Sequence, residues 1–305
     1  MRRNTFSDKI YKSVNYFLLI ILGIITLYPF IFFLALSFND GYDALKGGIY
    51  LWPRVFTLAN YEKAFQNPLM LNSFKISIAR TVIGTFLSVF LTAMLAYAIS
   101  KRQLPGRKYI IFFFFFTTLV SSGLIPRYVL LRELHLYNSF WVYVIPGIYS
   151  FYNAIIMKTF FDGIPDSLGE SAMIDGCSDI GIFLKIILPL SGPLLATIAL
   201  FCGVGHWNDW FTGTFFVNKD SLIPAATLLN KLLSEASFQS AVGGGTSANG
   251  SSLSHINNAL QGNNSVTTES LRMTFLIIIT TPIIAVYPFV QKYFVKGVMV
   301  GSLKE

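Results

Sequence analysis

Charge is scarce in this chain. Of its 305 residues, 12% are Asp, Glu, Lys or Arg and 53% are hydrophobic, whereas a soluble domain of ordinary composition is about 25% charged. So few charges cannot clothe a molecule of this size in a water-facing surface, and lipid has to act as solvent for much of it. Cysteine is almost missing as well. Cys177 and Cys202 form no CxxC or metal-ligand pattern, and each reads as a free, small hydrophobe. A Walker A glycine loop is absent, so the chain does not bind and split ATP in the usual way. The net charge is +8, but the basic residues sit at the ends of apolar runs. They form no face with aromatic or groove-reading partners, which argues against nucleic acid.

What is present is long apolar sequence. Runs near residues 14–38, 78–100, 109–126, 136–159, 187–211 and 272–292 each approach the roughly 20 residues that cross a bilayer as a helix. The third is the shortest, since Gly123 and Pro126 end it early. Solid runs such as Ile110 to Phe116 exclude a β-barrel, whose strands alternate polar and apolar residues. The expected fold class is an all-α membrane protein of six transmembrane helices in one domain. Met1-Arg2-Arg3 resembles the start of a signal peptide, but the apolar run is too long and no small-residue cleavage site follows, so the first helix is expected to stay.

Charge asymmetry sets the topology. With the N-terminus in the cytoplasm, the inner segments hold 13 of the 23 basic residues, and the short loop from Lys101 to Lys108 has four and no acid. Both termini are then expected inside, with Trp52, Trp141, Trp207 and Trp210 towards the outer side. Residues 162–189 fall in the cytoplasm and 213–270 outside. The outer segment is rich in Gly, Ser and Asn around Val242 to Ser252 and reads as a flexible insertion or a partner-touching arm.

The cytoplasmic segment is the informative one. Ser167 and Glu170 have capping-box spacing, which predicts a helix from Leu168. Ala172 is small enough to let another surface approach. Gly176 can take the left-handed conformation that ends a helix, and Ser178 or Asp179 can cap a second one. That second helix carries Ile182, Phe183, Ile186 and Ile187 on one face, and Pro189 marks entry to the fifth run. A helical hook at a membrane surface suits gripping another protein. A connector lying on lipid is the plainer alternative, but Glu170 and Asp175 gain nothing from an anionic leaflet.

Glu170-Ser171-Ala172, then Asp175-Gly176, then Ile187-Leu188-Pro189, resembles the EAA loop of ABC-importer permease subunits, with Ser171 in place of the middle alanine. The six-run layout and the ending from Tyr287 to Ser302 are similar to the maltose-type, MalG-like carbohydrate branch. Glu269 to Met273 before the last run resembles its complex-oligosaccharide sub-branch. The resemblance covers nearly the whole chain and implies the type I ABC importer permease fold in a bacterial cell membrane. It also implies that Glu170, Ser171, Ala172, Asp175, Gly176 and Pro189 form a coupling helix docked on a cytoplasmic ATPase dimer. That dimer, not this chain, would hold ATP and Mg. A second permease and an extracytoplasmic sugar-binding protein are the other implied partners. No catalytic residue, metal or cofactor is expected in this chain.

For the pathway, Trp207, Asn208, Asp209 and Trp210 resemble a run that faces the central cavity in the fifth span of sugar permeases. The alternative is an interfacial aromatic anchor with a solvated Asp209. Lys75, Arg80 and Arg272 begin runs, where they either snorkel to the outer boundary or attract an acidic sugar. Three other readings stay open. One is an intramembrane transferase on a lipid-linked sugar, although Asp162, Asp166, Glu170, Asp175 and Asp179 have no His or Cys beside them. The others are an ABC permease for a non-sugar solute and a scaffold without transport.

Overall fold

A computed structural model describes residues 6–120, 122–241 and 266–302. Among them the regular structure is helical, and a single bridge between Asn39 and Phe56 is the only strand-like pairing. Three helices are long and apolar enough to cross a membrane, with qualifying stretches Ile10–Ser37, Pro68–Ser100 and Thr268–Val286. They belong to α1 (Phe6–Ser37), α4 (Pro68–Ser100) and α14 (Thr268–Ser302). The other three apolar runs are bent pairs, which bring the count to six if each pair is one span.

Each bend has a local cause. The third run is α5 (Arg107–Leu119) followed by α6 (Leu124–Glu133), with a 120° turn between them. Gly123 at φ +73° stands just before α6, and Pro126 sits in the first turn of α6, where its missing N–H costs nothing. The expected termination is therefore a change of direction. In the fourth run, two 3₁₀ turns over Phe140–Tyr143 and Ile145–Gly147 precede α7 (Phe151–Phe161), bent by 50°. Ser150 accepts the Asn153 N–H and starts the new helix. The fifth run bends by 83° at Ser191.

The described residues group into two compact units. One takes the chain up to Pro68 and from Leu232 to Thr281; the other takes Leu69 to Lys231 and Pro282 onward. The first is held by a buried polar knot where α1 ends. Asn60, in α3 (Ala59–Gln66), is fully buried. Its Nδ2 donates to the carbonyls of Ser37 and Asn39, both at 2.9 Å, and its Oδ1 accepts from Ser270 Oγ at 2.9 Å. Beside it, Phe38 stacks between Phe56 and Tyr61. Arg54 donates to Asp43 Oδ2 at 2.8 Å, which holds that carboxyl below the usual carboxylate range. Asn60→Leu orphans the Asn39 carbonyl, which has no other partner among the described residues. A buried orphan of that kind costs about 1–3 kcal/mol. In detergent the unfolding midpoint should fall by several degrees, at about 2–4 °C per kcal/mol; an unchanged midpoint would show that the knot is dispensable.

The segment expected outside, 213–270, is not one flexible arm. It includes the end of α12 (Phe211–Phe216), a 3₁₀ turn Asp220–Leu222 and α13 (Ala225–Ala241). The Gly- and Asn-rich stretch from Val242 to Ser252 lies outside the described residues.

Candidate functional site

Two places carry the residues singled out from sequence, and both lie within the second unit. The first is the hook. α8 (Asp166–Ile174) opens at Pro165, with no side-chain cap. The expected capping box between Ser167 and Glu170 does not form. Proline fixes the backbone at a helix start two residues earlier than the box would need, and Asp166 supplies the negative charge that a helix N-terminus favours.

The exit from α8 is as expected. Gly176 has φ +81°. The Cys177 N–H reaches the Ala172 carbonyl at 2.9 Å and the Gly176 N–H reaches Met173 at 3.0 Å, which is the Schellman pattern. Ser178 then caps α9 (Asp179–Ile182) by accepting the Gly181 N–H at 3.3 Å. A π-helical turn, Phe183–Ile187, leads into α10 (Leu188–Leu190) and, after Ser191, α11 (Gly192–Asn208).

One face of this hook is anchored and the other is open. Ile182, Phe183, Ile186 and Ile187 all join a core with Ala93, Ala96, Met157 and Phe161. Phe183 packs 5.2 Å from the Tyr97 ring, and Lys101 Nζ lies 4.8 Å above that same ring. Ala172 belongs to this core and is buried. Its small side chain therefore lets α8 sit close to its own protein, not to a partner as expected. Glu170, Ser171, Asp175, Gly176 and Pro189 are exposed. Beside them Ile180 is exposed and Ile174 is 87% exposed, so the open face mixes carboxylates with bare apolar side chains.

The second place is the C-terminal end of the fifth run. α11 stops at Asn208, and α12 starts three residues later. α4 holds this break and the segment that follows it through several polar side chains. Asn72 donates to the Ser221 carbonyl at 2.7 Å, Ser77 Oγ accepts the Ala225 N–H at 2.8 Å, and Arg80 grips Asp209. Arg80 is fully buried. It pairs with Asp209 Oδ2 at 2.7 Å, donates to the Asp209 carbonyl at 3.0 Å, and lies 4.5 Å over the Tyr143 ring.

Neither snorkelling for Arg80 nor a solvated Asp209 survives this. An arginine 12 residues into a 33-residue apolar helix is better stabilised by a carboxylate within the protein than by reaching for water. Arg272 is also buried and pairs with Glu269 at 3.3 Å, while Lys75 is exposed. Of the four pathway candidates, Trp207 is buried, Asp209 is half-buried, and Asn208 and Trp210 are exposed. Trp207 packs against Phe74 and lines a cavity of about 890 Å³ together with Thr81, Thr85, Gly203 and Pro282. The Thr81 and Thr85 hydroxyls are buried with no hydrogen-bond partner, and sequence reasoning had not nominated them. The Arg80 pairing had a readable signal. A lone arginine in an apolar helix needs a counter-ion, and Asp209 is the single acid in the fifth run.

Residues 108–300 match the family model described as binding-protein-dependent transport system inner membrane component. Protein LplC of Bacillus subtilis is 36% identical over 99% of this chain and 97% of its own length. The polygalacturonan/rhamnogalacturonan transport system permease protein YtcP of the same organism is 36% identical over 97% of this chain and 99% of its own. Among solved structures, a chain of a bacterial ABC transporter involved in import of the acidic polysaccharide alginate superposes with a TM-score of 0.85. It is 30% identical, covering 95% of this chain and 98% of the other. The chain therefore belongs to the family of binding-protein-dependent transport system inner membrane components and has the fold of an ABC-importer permease.

Proposed function

We propose that this chain is one permease half of an ATP-driven importer of oligosaccharides and that its cargo contains uronic acids. The observation that carries this reading is similarity along the full chain to a polygalacturonan/rhamnogalacturonan permease and to a subunit of an alginate importer. Both of those cargoes are built largely from uronic acids. A second permease completes the pathway, an extracytoplasmic binding protein delivers the sugar, and a separate ATPase pair holds ATP and Mg. Both termini lie in the cytoplasm, in keeping with the basic residues of the inner segments. Glu170, Ser171, Asp175 and Gly176 form the grip on the ATPase, supported by the rigid turn at Gly176 and the open face around it. Ala172 and Pro189 set the geometry of that grip. Trp207, Asn208, Asp209 and Trp210 belong to the outer pathway. No chemical step on the sugar is required.

The test is reconstitution of the chain with its partner permease, ATPase and binding protein in proteoliposomes. Trigalacturonate should accumulate inside only with ATP present. Accumulation of neutral oligosaccharides alone would remove the uronate assignment. A sugar-transferase activity of the chain without the ATPase would overturn the transport reading itself.

A further inference from the structure

Arg80 lies within an apolar helix and carries the charge that an acidic sugar would seek, yet both of its terminal guanidinium nitrogens are already bonded within the chain, leaving only the buried Nε without a partner. Nη2 is bonded to the Asp209 carboxylate and Nη1 to the Asp209 carbonyl. The guanidinium face is covered by Tyr143, whose hydroxyl is in turn tied to the Leu222 carbonyl at 2.9 Å. To take a carboxylate from cargo, Arg80 would have to release Asp209 and leave that half-buried charge unpaired, which offsets whatever the new pair contributes.

Asp209 stands where the chain breaks. Its Oδ2 faces Arg80, while its Oδ1 accepts the Thr212 N–H that opens α12, at 3.1 Å. A single arginine thereby holds both the backbone and the side chain of the residue between α11 and α12. The residues on either side, Asn208 and Trp210, are exposed, whereas Trp207 turns inward. One turn inward on each helix, the His206 ring fills the notch left by Gly84, so α11 is fixed to α4 at two levels.

We propose that Arg80 is a positioning residue of the pathway. Acting through Asp209, it sets the break between α11 and α12 and so the outward presentation of Asn208 and Trp210, and its charge is neutralised within the chain instead of being offered to acidic cargo. This rests on the pathway role proposed above for residues 207–210.

The chain has only two cysteines, Cys177 and Cys202, so a reporter is simple to build. In a Cys177→Ser, Cys202→Ala background, Asn208→Cys or Trp210→Cys is introduced. The chain is assembled with its partners in membranes and labelled from outside with a membrane-impermeant maleimide. Adding Arg80→Gln should change the labelling rate at both positions several-fold. Asp209→Asn should do the same, because it removes the ion pair while keeping an acceptor for Thr212. Arg80→Lys, which keeps the charge but not the forked geometry, should fall between. In the same membranes Arg80→Gln should lower the maximal uptake rate about ten-fold or more, equally for trigalacturonate and for any neutral oligosaccharide the wild type carries, with KM little changed.

Unchanged labelling together with a KM that rises for the acidic sugar alone would overturn the proposal, since Arg80 would then be reading cargo charge. Unchanged labelling and unchanged uptake would overturn it too. If Arg80→Gln does not reach the membrane, Asp209→Asn carries the labelling comparison. Failure of the wild type to import trigalacturonate removes the cargo assignment but leaves the labelling result to decide this one.

Discussion

Gly176→Val is expected to abolish uptake and to strip the ATPase from the purified complex. At φ +81° an ordinary L-residue carries about 1–2 kcal/mol of strain, and a β-branched one fits that region worst of all. A Cβ at this position meets nothing within 4 Å, so the damage would come from backbone conformation alone. The chain would relieve it by opening the turn, losing the bonds from Cys177 to Ala172 and from Gly176 to Met173. The exposed face of α8 would then point elsewhere. Gly176→Asn separates cause from coincidence, because asparagine tolerates the left-handed region. Co-purification of the ATPase should be lost with Val and largely retained with Asn. Full uptake in the Val variant would refute the coupling role, and equal damage from both would refute the conformational cause.

Gly84→Ala is expected to destabilise the second unit although it adds one methyl group. The new Cβ would stand 2.6 Å from His206 Nε2 and 2.7 Å from Cε1, closer than atoms of these types approach. The imidazole is half-buried where α11 meets α4, so the ring must leave the notch or the helices must part. Overpacking of this kind costs about 1–3 kcal/mol. His206→Ala alone should also destabilise, by leaving the notch empty. Combined, the two changes should cost less than their sum, with a coupling of about 0.5–3 kcal/mol typical of residues in contact. Thermal unfolding of the four proteins in detergent measures this directly. Strictly additive losses would mean that the ring and the glycine do not share the notch.

Much of the architecture was legible because its signals are local. Apolar runs need no partner to be recognised, and Gly176 and Ser178 announce a turn and a cap through their own chemistry. The breaks at residues 120–123, 148–150 and 191 were harder, since a hydrophobic run looks the same whether its helix is straight or folded back. Gly123 and Pro126 were noticed, but a turn of 120° and an early end leave the same trace in sequence. Ala172 illustrates the converse. A small residue signals close approach without saying to what, and here the neighbour is the chain's own core. The capping box failed because Pro165, two residues upstream, competes for the same helix start. Arg80 and Asp209 were both singled out, yet separately, because their pairing is a fact about tertiary distance. The unpartnered hydroxyls of Thr81 and Thr85 left no mark at all, as threonine in an apolar helix ordinarily bonds to its own backbone.

Arg80 and Asp209 are 129 residues apart in the chain. A ribosome adding about 5–20 residues per second therefore makes the arginine roughly 6–26 seconds before its counter-ion exists. During that interval the arginine of α4 has no Asp209 to pair with, and an unpaired arginine at a membrane centre costs about 2.5–3.5 kcal/mol or more. The ion pair between α4 and the end of α11 is therefore a late event in the making of the chain, closed only once the residues after α11 exist.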